Sequence, residues 1–430
     1  MKLTLSLLCL VTATLASAKN DWNRFRGPNG TGISDTKGLP TVVDETTTVW
    51  KVAMEKGWSS PVLWENMIVL TAETGPSARA VIALDAKTGK ELWRHQEKFT
   101  EHRQNRQNSF ASSSPFVDAD RIYINWSTGT VIQALALDHQ GKLLWRNEHV
   151  ADYIHEHGTA ASALVVDGIM IVRSEFDTKK GDKVYTDDPA QLAWKSCIAG
   201  LDAATGKEAW RLDIPNSLNT YSTPIVNVRK DGATEIICTN TANGVMGINP
   251  KTGKLNWQYN PGFKQRSLSS GVLHNGIYFC TFGSGGGAKE LAAVDVSGPE
   301  PKALGFEFSK GLPYVPTPLV IDDLMYLLGD GGILKVVEFK TGKEIYNERV
   351  NGSGGSSKFF SSPVAADGKI YAGSQQGDFI VLKTGPKFEQ VAATKLDSPI
   401  NASFAIGPGR LYVRTEKSLY CIGDKTAPVP

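Results

Sequence analysis

The chain has 430 residues and carries 46 Lys and Arg against 44 Asp and Glu, a net charge of +2. A balance this even, with no basic stripe, excludes a nucleic-acid surface built on charge. Its five cysteines show neither CxxC nor zinc-type spacing, which excludes a thioredoxin-like motif and a zinc ribbon.

Residues 1–18 read as a secretory signal peptide: Lys2 is the basic start, 3–15 is a short apolar run, and Ala16-Ser17-Ala18 is a small-residue cleavage site. The run is too short to span a bilayer, and no other segment is long and apolar enough. Cys9 lacks the small residues that precede a lipidated cysteine, so no lipid anchor is expected. The mature chain then begins at Lys19 and is exported, to the periplasm or the medium. Residues 19–46 form an extended lead-in, and 47–52 (TTVWKV) read as a strand.

From there one phrase recurs. It is clearest at 83–93 (ALDAKTGKELW), returns at 200–210 (GLDAATGKEAW) and 247–257 (GINPKTGKLNW), is one residue shorter at 136–145 (ALDHQGKLLW), and is weaker at 336–346 (VVEFKTGKEIY). An apolar pair, a turn-forming Asp or Asn, a Gly and a closing aromatic predict strand, tight turn, strand. Asp85, Asp138, Asp202 and Asn249 are the expected turn acceptors. Trp93, Trp145, Trp210 and Trp257 are the expected wedges between neighbouring sheets, since an aromatic of that size buries a large area. Upstream of each phrase lies a second strand pair. It often opens on small hydroxylic residues and Pro (Ser59-Ser60-Pro61, Ser113-Ser114-Pro115, Ser222-Thr223-Pro224, Ser361-Ser362-Pro363) and turns at pairs such as Asp167-Gly168 or Asn275-Gly276. One unit is therefore four antiparallel strands, A to D.

First strands near Ser60, Ser114, Thr159, Thr223, Ser270, Thr317, Ser362 and Ala402 give eight units, and the last has no D strand of its own. The strand at 47–52 supplies it. The fold class is thus all-β: an eight-bladed β-propeller over 47–423, its ring closed by the N-terminal strand, with a tail at 424–430. Seven blades is the alternative, because units five, seven and eight are degenerate. Cys197, Cys238, Cys280 and Cys421 fall in strands and are read as buried free thiols.

The A-x-D-x-x-T-G-x-x-x-W phrase resembles the tryptophan-docking motif of quinoprotein-type (PQQ-like repeat) propellers, and the resemblance runs over nearly the whole mature chain. The lead-in Trp22-x-x-Phe25-Arg26-Gly27-Pro28-Asn29-Gly30-Thr31-Gly32 is similar to the start of many secreted bacterial PQQ-like repeat proteins. Two functions are implied. PQQ-dependent dehydrogenases hold a calcium-bound quinone in the propeller channel beside a vicinal cysteine pair. This chain has no adjacent cysteines, so that hallmark does not carry over. BamB-like propellers are non-enzymatic scaffolds for outer-membrane assembly, and their lipid-attachment cysteine is missing here.

In such a blade the A–B and C–D turns lie on one face, while the B–C loops and the D-to-A links lie on the other. The long insertions (97–108, 148–158, 173–196 and 282–289) all fall on the second set, which makes it the expected binding face. Residues just before the A strands then ring the channel mouth: Trp58, Asn108, His157, Tyr221, Arg266, Tyr314 and Phe360, with Arg106 close by. Arg266, Asn108 and Trp58 would be the partners for a quinone, with Glu101, Asp152 and Glu156 the nearest acids for calcium. His155 and His157 are the weak metal candidates, set around Glu156 in a loop. With no nucleophile elbow, zincin motif or Walker loop present, the reading is an exported non-catalytic propeller, monomeric as a closed ring. It binds a protein or other extracytoplasmic ligand through its long-loop face. PQQ with calcium in an oxidoreductase and an outer-membrane assembly scaffold are the alternatives.

Overall fold

Strand pairing alone builds the ring. The computed structural model describes residues 22–426 apart from 155–156, 181–182, 185, 187, 307 and 309. Within it stand eight four-stranded antiparallel sheets, in seven of which the strands pair in chain order. Blade one is Val62–Trp64, Met67–Gly75, Ala78–Asp85 and Glu91–Lys98. The A strands of blades two to seven are Phe116–Val117, Leu164–Val166, Ile225–Val228, Val272–His274, Leu319–Ile321 and Val364–Ala366. Blade eight is Ala405–Gly407, Arg410–Arg414 and Ser418–Gly423, completed by Thr48–Ala53, which pairs Trp50 with Cys421 and Val52 with Leu419. The ring therefore has eight blades and closes through the N-terminal strand, as the sequence predicts.

The A–B turns are tight because Asp167, Asn275, Asp322 and Asp367 take φ of 49–54°. Asn and Asp tolerate this left-handed region better than other side chains. The B and C strands are buried along nearly their whole length, since each sheet is sandwiched between two others, whereas D strands such as Glu91–Lys98 alternate toward solvent. The core accordingly lies between blades: Val69, Val81, Val117, Ile124 and Leu135 fill the layer between one and two.

The recurring phrase is the interlock. The indole of one blade lies on the turn glycine of the next: a Cβ on Gly141 would meet the Trp93 ring at 2.5 Å, and one on Gly206 the Trp145 ring at 2.3 Å. Each indole N–H then donates to the carbonyl just after the turn acceptor. Trp93 reaches His139 (2.8 Å), Trp145 reaches Ala203 (2.9 Å) and Trp210 reaches Pro250 (2.7 Å). Trp50 does the same to Ala86 (3.1 Å), so the closing strand docks like any other. The turn carboxylates are consumed locally: Asp85 and Asp202 each accept from an amide and a hydroxyl of the Thr three residues on, at 2.7–2.8 Å. Trp257 differs. Blade five lacks the Thr-Gly turn, and Trp257 donates instead to Glu235 of its own blade (3.0 Å). Phe306 and Phe308 take the aromatic role over Gly342, each 3.1 Å from a Cβ placed there.

The four described cysteines are buried and unpaired. Burial pushes the Cys197 thiol up to about 11 and those of Cys238 and Cys421 up to about 12. Among the described residues no helix is long and apolar enough to cross a membrane. The leader 1–18 and Cys9 lie outside the described residues.

Candidate functional site

The channel neck is tied by a closed cycle of hydrogen bonds. In each blade the hydroxyl residue at the entrance to strand A donates its backbone N–H to the side-chain oxygen of its counterpart in the next blade. The cycle runs Ser60, Ser114, Ser162, Thr223, Ser270, Thr317, Ser362, Ser403 and back to Ser60, with every step between 2.9 and 3.2 Å. It shifts the predicted start of two A strands. Blade three counts from Ser162 rather than Thr159, and blade eight from Ser403 rather than Ala402. Neither hydroxyl is followed by Pro or preceded by a second hydroxyl residue, and each of the other six has at least one of these markers.

Below this ring the lead-in plugs the channel. Trp22 and Asn23 accept from the amides of Leu63 and Val117 (both 2.8 Å), and Asn29 exchanges two bonds with Val226 (2.7 and 2.8 Å). Gly32 accepts from Ala365 (2.7 Å). Arg24 donates to the Pro224 carbonyl (2.7 Å), and Arg26 to those of Pro318 (2.9 Å) and Pro363 (3.1 Å). Both guanidinium groups are fully buried, which lowers Arg24 to about 10 and Arg26 to about 9. Phe25, between them, forms part of the cavity floor.

Above the ring the channel opens into a cup of about 680 Å³. Its second tier lies two residues upstream of each ring hydroxyl and includes Trp58, Tyr221, Leu268, Phe360 and Asn401. Its rim comes from the D-to-A links and the B–C loops, so the cup faces the long-loop side. Seven of the eight sequence-predicted mouth residues line it: Trp58, Asn108, His157, Tyr221, Arg266, Tyr314 and Phe360. Arg106 does not, and stands exposed on its loop.

Several of these residues also hold the rim together. Asn108 donates to the His157 carbonyl (2.9 Å) and accepts from Ser112 Oγ (2.6 Å), joining the blade one–two link to the two–three link. Behind the wall, Arg414 donates to the carbonyls of Ser59 (2.9 Å) and Thr71 (2.8 Å). Arg173 ties Ser222 (2.8 Å) and Thr239 (2.6 Å) while paired with Glu175. Burial alone would lower Arg173, but Glu175 holds it above its ordinary value.

The sequence gives little sign of Asp330, Gln375 or Phe25 in the cup. Asp330 and Gln375 sit on short B–C loops of blades six and seven, unmarked by insertion. Asp330 accepts from the amides of Tyr314 (2.7 Å) and Val315 (3.2 Å), yet burial raises it above the usual carboxylate value. Gln375 donates to Asn401 (3.2 Å).

The donor set does not fit a calcium-bound quinone. Asp330 is the one carboxylate among the described lining residues, and both its oxygens already serve backbone amides. Glu101 is tied to the Ser77 amide (2.9 Å) and Asp152 to His149 (2.9 Å); neither lines the cup. His155 and Glu156 lie outside the described residues, so the predicted His-Glu-His cluster is not described. Among the described residues no group of three His, Cys, Asp or Glu side chains gathers to hold a metal.

Comparison with known proteins adds the following. A family model described as outer membrane protein assembly factor BamB matches residues 37–196 and 179–301. Among curated proteins the chain is similar to quinohemoprotein alcohol dehydrogenase ADH IIB of Pseudomonas putida, 24% identical over 238 residues, which is 47% of this chain and 34% of that protein. The chain thus spans about a third of the length of that relative. Among solved structures it is similar to BamB from Moraxella catarrhalis (TM-score 0.60, 13% identity, 89% of this chain and 98% of that one). It is also similar to a europium-containing methanol dehydrogenase (TM-score 0.62, 12% identity, 95% and 98%). At these identities the structures share the fold alone.

Proposed function

The chain belongs to the PQQ-like repeat family whose model is described as outer membrane protein assembly factor BamB, and on that footing we propose that it is an exported, non-catalytic propeller that holds a ligand or partner in the cup on its long-loop face. The one-ended cup carries this reading. A channel plugged by the chain's own lead-in offers one entrance, on the face where the sequence concentrates its insertions. A preformed concavity on a rigid scaffold is the usual form of a binding site. Its polar groups support binding rather than turnover. The ring hydroxyls accept backbone N–H groups, and Asp330 serves two amides, so neither is set against a partner as nucleophile and base. The leader-like segment at 1–18 supports placement outside the cytoplasm, in the periplasm or the medium.

The test is site-specific photocross-linking in cells. A photoreactive residue at Gln107, on the rim, should capture a partner or ligand. One at Val228, 66% exposed on the plain face, should not. Capture from Val228 alone would overturn the assignment of the face. Calorimetric titration with PQQ and calcium, followed by dye-linked oxidation of an alcohol panel, tests the other half. Stoichiometric binding with turnover would overturn the non-catalytic reading.

A further inference from the structure

We infer that the cup takes a neutral, polyhydroxylated ligand, the end of a saccharide chain. This deepens the binding reading above and rests on it. Three properties of the cup converge on that chemistry.

The first is the ring. Each of its hydroxyls accepts one backbone N–H, and no acceptor among the described residues takes its proton. A hydroxyl has one proton and two lone pairs, so each ring residue still has one donor and one acceptor to offer. The floor therefore presents a circle of groups that both give and receive, which matches the dual character of sugar hydroxyls.

The second is the wall. Trp58, Tyr221, Tyr314 and Phe360, with Phe25 on the floor, share the wall with the amides of Asn105, Gln107, Gln375 and Asn401. Aromatic faces take the apolar C–H surface of a pyranose, and planar amides bridge adjacent hydroxyls; large rigid rings with few rotamers bind at low entropic cost. The third is charge. The described lining sets two cationic side chains, Arg266 and Lys358, against one carboxylate, Asp330, a small net charge that builds no strong field for an anion or a cation. The volume, about 680 Å³, lies in the small-molecule range of roughly 300–1,000 Å³. The single opening lets the remainder of a chain run out into solvent.

The experiment is calorimetric titration of the mature protein with cellohexaose, maltohexaose and chitohexaose, and with oligogalacturonate as the charged counterpart. At least one neutral oligosaccharide should bind, and Trp58→Ala and Phe360→Ala should each weaken it by about tenfold or more. Gln375→Ala, on the rim and away from the ring, should weaken it with an unchanged melting temperature. That variant keeps the test valid if a wall substitution disturbs folding. No heat from any neutral oligosaccharide would overturn the inference. So would preferential binding of oligogalacturonate that Lys358→Ala abolishes. Either failure alongside persistent Gln107 cross-links would leave the cup as a site for another ligand, whereas loss of those cross-links would remove the binding reading itself.

Discussion

Gly206→Ala tests the interlock that the recurring phrase encodes. Gly206 has φ +71°, and a Cβ there would lie 2.3 Å from Trp145 Cε3, well inside the roughly 3.5–4.0 Å of a carbon–carbon contact. The left-handed backbone costs an alanine about 1–2 kcal/mol. Displacing a ring that cannot yield adds about 1–3 kcal/mol. Loss of the indole bond to the Ala203 carbonyl adds about 1 kcal/mol more. Gly168 in the same blade supplies the control: its φ is +76°, but a Cβ there meets nothing within 4 Å. Gly168→Ala should therefore show the backbone cost alone, and Gly206→Ala about 3 kcal/mol beyond it. With an unfolding entropy of about 2.1 cal/mol/K per residue over this length, that difference is about 3–4 °C in melting temperature by scanning calorimetry. In a Trp145→Leu background the total cost of Gly206→Ala should shrink toward the backbone term. Equal melting of the two single variants, or an undiminished cost in that background, would refute the docking argument.

Asp397 should make ring closure acid-sensitive. Burial would raise its carboxyl, but Ser418 (2.6 Å), Thr415 (2.8 Å) and Lys51 of the closing strand (3.0 Å) hold it well below the ordinary 3.8. A depressed carboxylate contributes stability above its unfolded pKa and loses it as pH falls through the folded one. Urea midpoints measured downward from pH 4 should fall more steeply in wild type than in Asp397→Asn; identical slopes would contradict this. Arg173→Met should cost about 3–5 kcal/mol in urea unfolding, because it strands Glu175 as a buried charge, and adding Glu175→Gln should recover part of the loss. Arg26→Met should free the plug from blades six and seven. Amide exchange at Val226 and Ala365, both bonded to the lead-in, should then accelerate while Val69 in blade one stays protected.

The blade count was readable because Trp50, an orphan D-strand aromatic at one end of the chain, answers a blade that lacks one at the other. The docking of Trp93, Trp145 and Trp210 was readable from spacing, since the contact joins fixed positions in consecutive phrases. Trp257 shows the limit: its partner turn has decayed in blade five, and Glu235 can be recognised as the substitute acceptor only once the strands are paired. The cup was half legible. Residues that directly precede an A strand have a fixed place in every blade, which located Trp58, Tyr221 and Phe360. Asp330 and Gln375 reach the rim from short B–C loops that look like ordinary turns, and Arg106 stands exposed although its neighbours Asn105, Gln107 and Asn108 line the cup. The lead-in reads as an extended arm, but its side chains reach carbonyls some 200 to 340 residues away, and backbone acceptors leave no mark in a sequence.

The hydroxyl cycle has a handedness that bears on how the channel treats charge. Every amide in it points the same way around the axis, each toward the next blade and none toward the lumen. Eight dipoles arranged head to tail around a circle form a vortex, and their components across the axis cancel. A helix end does the opposite, since its peptide dipoles line up and draw an anion. The throat of this propeller is therefore tied by polar bonds that run around it, and the amides in the cycle present no N–H to whatever enters the cup. The charged side chains of the cup, Arg266, Lys358 and Asp330, belong to its lining and not to this cycle.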